Sequence, residues 1–327
     1  MVALYFCLLL QTLSVLPYVQ EPVGQSIDER IFLAEKSLQK IVVIENDSLF
    51  NLGVIKTHEL YDNIVFLLDY RPHPVVKVLN IDSNIITQTY GNGRGRGPGE
   101  LINPTDFDVS EDGKVWITDE PQSKISIFEP NGELYDEWVI EFTTYKMAGI
   151  ENDMAIYGSF DPVVKLVDDS KTVVWTSDYI IENPRKWASA ITGFLLSGKR
   201  YIYKISNYTG ELVALDKSGK MKYFRHLIGR EQNLQLEPIP GLDNEAYGIQ
   251  RSSLNFAAAS GFIIGEEIHL LIQFYGKNPY QVIDVYKADS GDYLYSYKLG
   301  ESVRSITSLQ DGTIIGMKPD RLIIWEQ

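Results

Sequence analysis

A three-stranded unit between Thr105 and Gly132 most limits how this chain can fold. Apolar side chains recur there at every second position, as at Val115 and Ile117, and this is the period of a pleated strand. Asp112-Gly113 and Asn131-Gly132 separate these runs and supply the positive φ angles that two-residue hairpin turns need. A ribbon of three or four strands cannot bury both faces alone, so it needs similar neighbours on which to stack. We therefore expect the unit to repeat.

The unit does recur in degenerate form, and the copies align through their second strands. These strands begin at Asn63, Lys114, Met154, Tyr201, Ile268 and Thr313. Their separations of 51, 40, 47, 67 and 45 residues are close to the roughly 40–50 residues of a propeller blade. The widest separation holds an insertion at 230–259, for which we expect an elaborated loop with a helical turn near 244–254. The sequence therefore predicts an all-β fold, a six-bladed β-propeller.

The last blade lacks a fourth strand because the chain stops at Gln327. The run Lys40–Glu45 (KIVVIE) has the residue types of a strand and precedes the first blade. We predict that it pairs with the third strand of the last blade near Leu322–Trp325. This pairing would close the ring and hide sheet edges that otherwise promote aggregation. The propeller domain is then 40–327.

The N-terminus resembles a secretory signal, because Val2 to Val19 is apolar apart from Gln11, Thr12 and Ser14. We assign 1–24 to this segment and 25–39 to a lead-in. No Lys or Arg precedes the run and no small-x-small cleavage site follows it, so two interpretations stay open: a longer signal, or an uncleaved anchor. Both predict an exported protein that is periplasmic, extracellular or attached to the cell envelope, with membrane contact through this segment alone.

A resemblance to known propellers rests on the stretch Tyr90–Gly132 (YGNGRGRGPGELINPTDFDVSEDGKVWITDEPQSKISIFEPNG). A G-x-G-P-G-E run precedes a blade of the form D-G-x-h-h-h-x-D, where h is an apolar residue. This stretch resembles six-bladed propellers of the NHL-like and TolB-like kind, especially the exported set found in Bacteroidota. The resemblance is weaker over the other blades and absent before about residue 38. It implies the fold and export, and it names no substrate.

The charge and the histidines bear on function. A formal net charge of −14 opposes binding to nucleic-acid phosphates, so we expect no nucleic-acid partner. Propeller lyases and lactonases hold a metal with His, Glu, Asn or Asp from several blades, whereas the four histidines of this chain (His58, His73, His226 and His269) do not converge in the predicted ring. We therefore expect no histidine metal site, no cofactor and no catalytic residue, although a carboxylate and amide site stays open.

The glycine-rich run Gly91–Glu100 lacks the G-K-[ST] ending of a P-loop, and it joins strand to strand. We interpret its glycines as turn formers between blades one and two, and Glu100 as an acceptor for neighbouring amides. Arg94 and Arg96 are the candidate anion-binding residues in this run, because guanidinium groups bind carboxylate or phosphate with two parallel hydrogen bonds.

In a propeller, the loops joining second to third strands gather on one face with the loops between blades. Here those loops carry aromatic residues beside Arg, Lys, His and Asn, which are types found where proteins bind partners or sugars. The candidate binding residues are Tyr70, Arg71, His73, Arg94, Arg96, Tyr208, Tyr275, Lys277 and Asn278. The function predicted is a monomeric, exported, non-catalytic scaffold that engages a protein or a glycan. The alternatives are that the tyrosines only cover blade edges, or that a metal-dependent hydrolase or lyase site lies in the central channel.

Overall fold

The computed structural model describes residues 30–32, 38–45, 51–140, 146–158, 163–168, 170–177, 192–229, 234–238, 247–250, 254, 256–275 and 277–326. The signal-like segment 1–24, most of the lead-in 25–39 and the loop 159–161 lie outside these residues. Among the described residues, no helix is long and apolar enough to cross a membrane.

The described chain forms six four-stranded antiparallel sheets and one two-stranded sheet. The first strand, β1, spans Gln39–Glu45. Blade 1 contains β2 Leu52–Lys56, β3 Ile64–Asp69, β4 Val75–Asn80 and β5 Ile85–Tyr90. Blade 2 contains β6 Pro104–Val109, β7 Val115–Asp119, β8 Lys124–Phe128 and β9 Leu134–Val139, with a 3₁₀ turn at Glu120–Gln122. Blade 3 contains β10 Lys146–Ile150, β11 Asp153–Tyr157, β12 Lys165–Val167 and β13 Val173–Thr176.

Blade 4 contains β14 Gly193–Ser197, β15 Tyr201–Ser206, β16 Glu211–Asp216 and β17 Met221–His226. The strands β18 Leu236–Pro238 and β19 Tyr247–Ile249 pair as a hairpin inside the insertion. The helical turn expected near 244–254 is therefore wrong at 247–249, where the chain is extended. Blade 5 contains β20 Phe256–Ile264, β21 Glu267–Phe274, β22 Tyr280–Lys287 and β23 Tyr293–Lys298. Blade 6 contains β24 Ser305–Ser308, β25 Ile314–Met317 and β26 Arg321–Glu326, and β1 is its outer strand.

The ring is closed as the sequence predicts. Strand β1 pairs antiparallel with β26, with Lys40 opposite Trp325 and Ile44 opposite Leu322. The innermost strands of the blades contact one another in cyclic order, and β2 of blade 1 contacts β24 of blade 6. Glu301 binds both Lys40 on β1 and Lys318 after β25. Hydrogen bonds from Lys40, which has the larger effect, and from Lys318 lower the pKa of the Glu301 carboxyl to about 2.

Among the described residues, the core consists of six apolar clusters, one between each pair of neighbouring blades. Strand β7 shows how one strand serves two of them: Val115 and Ile117 pack toward blade 1, and Trp116 packs toward blade 3. The second strand of this blade is therefore buried on both faces, because each blade is covered on both sides. This arrangement explains why a single blade is not stable alone.

A short part of the lead-in lies along the outer strand of blade 5. The backbone of Ile31 accepts a hydrogen bond from Ser296 at 2.8 Å and donates to the Tyr293 hydroxyl at 2.9 Å. The adjacent Arg30 side chain reaches inward and forms an ion pair with Asp284 at 2.8 Å, where the Asp284 side chain is fully buried. The sequence did not predict this contact, and it ties the lead-in to the third strand of blade 5.

Candidate functional site

The topology divides the propeller into two faces of different chemistry. One face, here called the loop face, carries the β3–β4 loop 70–74, the blade 1–2 connection 91–103, and the loops 207–210 and 275–279. The other, here called the hairpin face, carries short turns such as 110–114 and 217–220. All nine candidate binding residues lie on the loop face.

The candidate residues form two groups on this face and not one. Tyr70, Arg71, His73, Arg94 and Arg96 belong to blade 1 and to the connection that follows it. Tyr208, Tyr275, Lys277 and Asn278 belong to blades 4 and 5. In a ring of six blades these positions lie on opposite sides of the channel. The loops are on the same face, as expected, but the order of the blades separates the two groups.

Tyr70 differs from the exposed loop aromatic that the sequence suggested. Its ring is half-buried, and its hydroxyl donates to the carbonyl of Pro104 in blade 2 at 2.9 Å. The ring fills the space beside Gly53, where an added Cβ would lie 2.4 Å from Tyr70 Cε2. Tyr70 therefore helps to hold blades 1 and 2 together. Tyr70 also forms one wall of a small cavity of about 280 Å³, and Arg94 from the blade 1–2 connection lines the same cavity.

Backbone and side-chain hydrogen bonds hold the glycine-rich loop in one shape. The Gly97 N–H donates to the Glu100 carboxylate at 2.7 Å, which confirms the acceptor role predicted for Glu100. Leu101 is fully buried, and its N–H donates to the Gly93 carbonyl at 2.9 Å. The ammonium group of Lys124 donates to the Glu100 carbonyl at 2.8 Å. The loop is thus preorganised by groups other than its arginines.

Four cationic or titratable side chains in this first group are exposed. Arg71, His73, Arg94 and Arg96 all project from the two loops with exposed side chains. Within the described residues, no carboxylate pairs with Arg71, Arg94 or Arg96. Their guanidinium groups are therefore available to an anionic ligand, and the fold does not need them for structure.

The second group centres on Tyr275, whose side chain is 46% exposed. Partial burial raises the pKa of the Tyr275 hydroxyl, and Tyr208 in the equivalent loop of blade 4 raises it further. Lys277 and Asn278 are exposed beside Tyr275. Sequence reasoning missed Tyr280, which is 50% exposed in the same loop region and could have been found as the aromatic that begins the third strand.

Tyr280 extends the aromatic surface through stacked rings. Its ring stacks on Phe274 with centroids 4.5 Å apart and planes 11° from parallel. The guanidinium of Arg30 lies 4.5 Å from the centroid of the same Phe274 ring. Arg30 of the lead-in therefore packs on Phe274, which in turn stacks on Tyr280, so the lead-in contributes to the packing beneath the second group.

A central channel of about 820 Å³ runs between the innermost strands. Asp106 and Asp108 of β6 accept hydrogen bonds from the N–H groups of Met147 and Gly149 on β10, each at 3.0 Å. Lys56 of β2 pairs with the same carboxylates at 3.5 and 3.2 Å. Although burial lowers the pKa of Lys56, the two aspartates outweigh it and the pKa is raised. These acids thus satisfy edge amides that face the channel, and they tie three blades together.

The metal alternative requires carboxylates, amides or histidines that converge at one end of the channel. Among the described residues, no group of three or more His, Cys, Asp or Glu side chains has the arrangement to hold a metal ion. His269 is buried and stacks on Phe262 with centroids 4.8 Å apart. His58 lies beside the channel, where burial lowers its pKa against the opposing effect of Asp108 and Glu59.

Comparisons with known proteins support the architecture. No protein-family model matches the chain, and no curated protein matches it at a significant level. Among solved structures, it is similar to a predicted exported protein from Bacteroides fragilis, with a TM-score of 0.58 and 14% identity over 88% of this chain and 94% of that one. A member of the DUF4221 family from Bacteroides vulgatus has a TM-score of 0.58 and 9% identity over 88% and 96%.

A streptogramin B lyase structure is also similar, with a TM-score of 0.52 and 14% identity over 87% of this chain and 96% of that one. These likenesses show the fold alone. At such identities the functional residues of a neighbour do not transfer to this chain, because one fold carries many functions. Function must be argued from the loop face itself.

Proposed function

We propose that this chain is an exported, non-catalytic scaffold that binds a protein or glycan ligand through its loop face. The observation that carries the proposal is a set of exposed cations on the loop face, one of which, Lys277, lies beside the exposed Tyr275. Arg71, Arg94, Arg96 and Lys277 have no ion-pair partner within the described residues. On a protein of net charge −14, these exposed cations are local points of attraction for an anionic partner.

The hairpin face has cations as well, but many of them are paired with neighbouring carboxylates. Lys114 pairs with Asp112 at 2.6 Å, and Lys222 pairs with Asp216 at 2.8 Å. Exposed pairs of this kind add little stability, yet they leave each charge neutralised nearby. Arg200 on the hairpin face is exposed and has no ion pair within the described residues, so the preference for the loop face rests on the aromatic residues beside its cations, such as Tyr275 beside Lys277.

Export is supported by the apolar run Val2–Val19, and a structural neighbour of the same fold is described as exported. The binding unit in this proposal is the propeller 40–327, and the segment 1–24 directs it out of the cytoplasm. A tagged full-length protein should be recovered outside the cytoplasm, either shortened by about its first twenty residues or held at the membrane through them. Recovery of an intact, soluble cytoplasmic chain would contradict export.

The binding role is tested by removing the two aromatic side chains of the second group. Tyr208→Ala/Tyr275→Ala should weaken capture on an array of defined glycans and of envelope proteins by roughly 30-fold, the effect of an aromatic anchor. Tyr70 is left intact because it packs between blades. Tyr135→Ala is the matched control, since Tyr135 is 49% exposed on the outer strand of blade 2.

Equal capture by the wild type and the double variant, with no loss on any array spot, would contradict a role for the second group of residues. If EDTA abolished capture or revealed a metal-dependent activity while the tyrosine variant behaved as wild type, the channel alternative would replace the scaffold. Thermal melts of each variant check that the fold is retained. Replacing an exposed side chain such as Tyr275 or Tyr135 changes stability by about 0.5 kcal/mol or less, whereas Tyr208 is half-buried and its replacement is checked separately as Tyr208→Ala.

A further inference from the structure

The cavity beside the glycine-rich loop presents hydrogen-bonding groups that the described part of the chain leaves unused. It is lined by Asn51, Tyr70, Pro74, Arg94, Ile102 and Asn103. The Tyr70 hydroxyl is committed to Pro104, but within the described chain no group bonds the side chains of Arg94, Asn51 or Asn103. None of the six lining residues is acidic, so the cavity has one positive charge and two carboxamides.

The backbone positions these groups before any ligand arrives. Arg94 forms a bridge with Leu101, and the Gly95 N–H donates to the Leu101 carbonyl at 3.2 Å. The backbone N–H of Asn103 donates to Asp119 at 3.3 Å, and Asp119 is fully buried. Because the backbone is already fixed, binding requires no ordering of the loop, and the conformational cost is confined to the Arg94 side chain and its neighbours.

We propose that this cavity binds a carboxylate-bearing sugar unit of an acidic glycan, and that Arg94 is its anchor. The inference rests on the proposed scaffold function and deepens it by naming the site and the ligand class. The planar guanidinium fork of Arg94 matches a carboxylate through two parallel hydrogen bonds. The carboxamides of Asn51 and Asn103 each both donate and accept, which suits ring hydroxyls that also do both.

An acidic peptide fits this cavity less well. A peptide can also bond the two carboxamides through its backbone N–H and C=O groups, so size and shape, and not hydrogen bonding alone, distinguish the two ligand classes. The cavity of about 280 Å³ is small, and one ring with its substituents matches it better than an extended chain does. Arg71 follows the cavity residue Tyr70, Arg96 lies two residues after Arg94, and both side chains are exposed. They would add salt-dependent attraction toward further acidic units of the same glycan.

The test measures binding of defined oligosaccharides to the wild type, Arg94→Gln and Arg200→Gln. The probes are oligogalacturonate, its methyl ester, a sialylated oligosaccharide, a sulfated oligosaccharide and oligoglutamate. Arg200→Gln is the control because Arg200 is exposed on the hairpin face and its replacement makes the same change in charge. Isothermal titration calorimetry gives the dissociation constants, and saturation-transfer NMR shows whether the sugar ring contacts the protein.

We expect a carboxylated oligosaccharide to bind to the wild type, and its methyl ester or neutral form to bind at least about tenfold more weakly. The Arg94→Gln variant should lose at least about tenfold in affinity for the carboxylated form, and Arg200→Gln should keep the wild-type affinity. The inference is overturned if no acidic oligosaccharide binds, if the sulfated probe or oligoglutamate binds more tightly, or if Arg94→Gln binds as the wild type does. Loss of capture in the Tyr208/Tyr275 variant with unchanged Arg94→Gln binding would preserve the scaffold and remove this site.

Discussion

Replacing Arg30 by Met tests whether the lead-in stabilises the propeller. The guanidinium of Arg30 contacts both carboxylate oxygens of Asp284 at 2.8 to 3.2 Å and donates to the Ile228 carbonyl at 3.2 Å. After the substitution, Asp284 keeps the Ser296 hydroxyl at 2.6 Å as its side-chain donor within the described residues. A carboxylate that is 0% exposed would then be buried without its cation.

The expected loss of folding stability follows from the burial of this unpaired carboxylate. Removing one partner of a buried ion pair costs about 3–5 kcal/mol, and the retained Ser296 hydrogen bond favours the lower end, about 3 kcal/mol. With an unfolding entropy of about 2.1 cal/mol/K per residue over about 290 residues, this loss lowers Tm by about 5 °C. Removing both charges in Arg30→Met/Asp284→Asn should restore most of the loss, since no unpaired charge remains.

The loss should also depend on pH. Burial raises the pKa of the Asp284 carboxyl, and the Arg30 guanidinium opposes that rise. Without Arg30, the pKa of folded Asp284 rises further above its unfolded value. A raised carboxyl pKa gives stability that is present below the unfolded pKa and is lost as pH rises through the folded pKa. The deficit of Arg30→Met should therefore be larger at pH 7.5 than at pH 4.

Circular dichroism melts at both pH values, with Arg200→Met as a control at an exposed arginine, measure these differences. The reasoning is refuted if Arg30→Met melts with the wild type at pH 7.5. It is also refuted if the double variant is no more stable than Arg30→Met.

Two further predictions concern closure and packing of the ring. Removing residues 1–30 should leave a soluble monomer of lower Tm. Removing 1–46 also deletes β1 and exposes the edge of β26, so this truncation should unfold or associate, as measured by size-exclusion chromatography with light scattering. Equal melting of the two truncations would contradict closure by β1. Gly149→Ala should cost about 2 kcal/mol in urea unfolding, because the new Cβ would lie 2.6 Å from the Val109 carbonyl oxygen of blade 2. Gly300→Ala should be near neutral because its Cβ meets open space, and equal losses in these two variants would show that the close approach of blades 2 and 3 is unimportant.

The strands were predictable because their signals are local. The six second strands and the closing strand Lys40–Glu45 are recognised from period-two patterns and turn dipeptides, and the structure confirms them. The Asp106 and Asp108 pattern looks like the polar face of a strand, but both side chains bond amides of the next blade. That role depends on how neighbouring blades are placed, and a single strand does not contain this information.

The site was only partly predictable for the same reason. The sequence places Tyr70 and Tyr275 in equivalent loops, and the structure puts both loops on one face. It does not show that Tyr70 fills the space left by Gly53, or that the two tyrosines belong to blades on opposite sides of the ring. Arg30 gave no signal, because one arginine in a lead-in has no periodic pattern, and its partner Asp284 is far away in the sequence.

The most direct test of the central claim, that the loop face is the binding surface, is hydrogen–deuterium exchange of the protein with and without a bound acidic oligosaccharide or captured partner. With a bound acidic oligosaccharide we expect slower exchange in the loop-face segments 70–74 and 91–103, and with a partner captured through the second group we expect it in 207–210 and 275–279. Exchange in the hairpin-face turn 217–220 should not change. Protection confined to the hairpin face, with the loop-face segments unaffected, would contradict the claim.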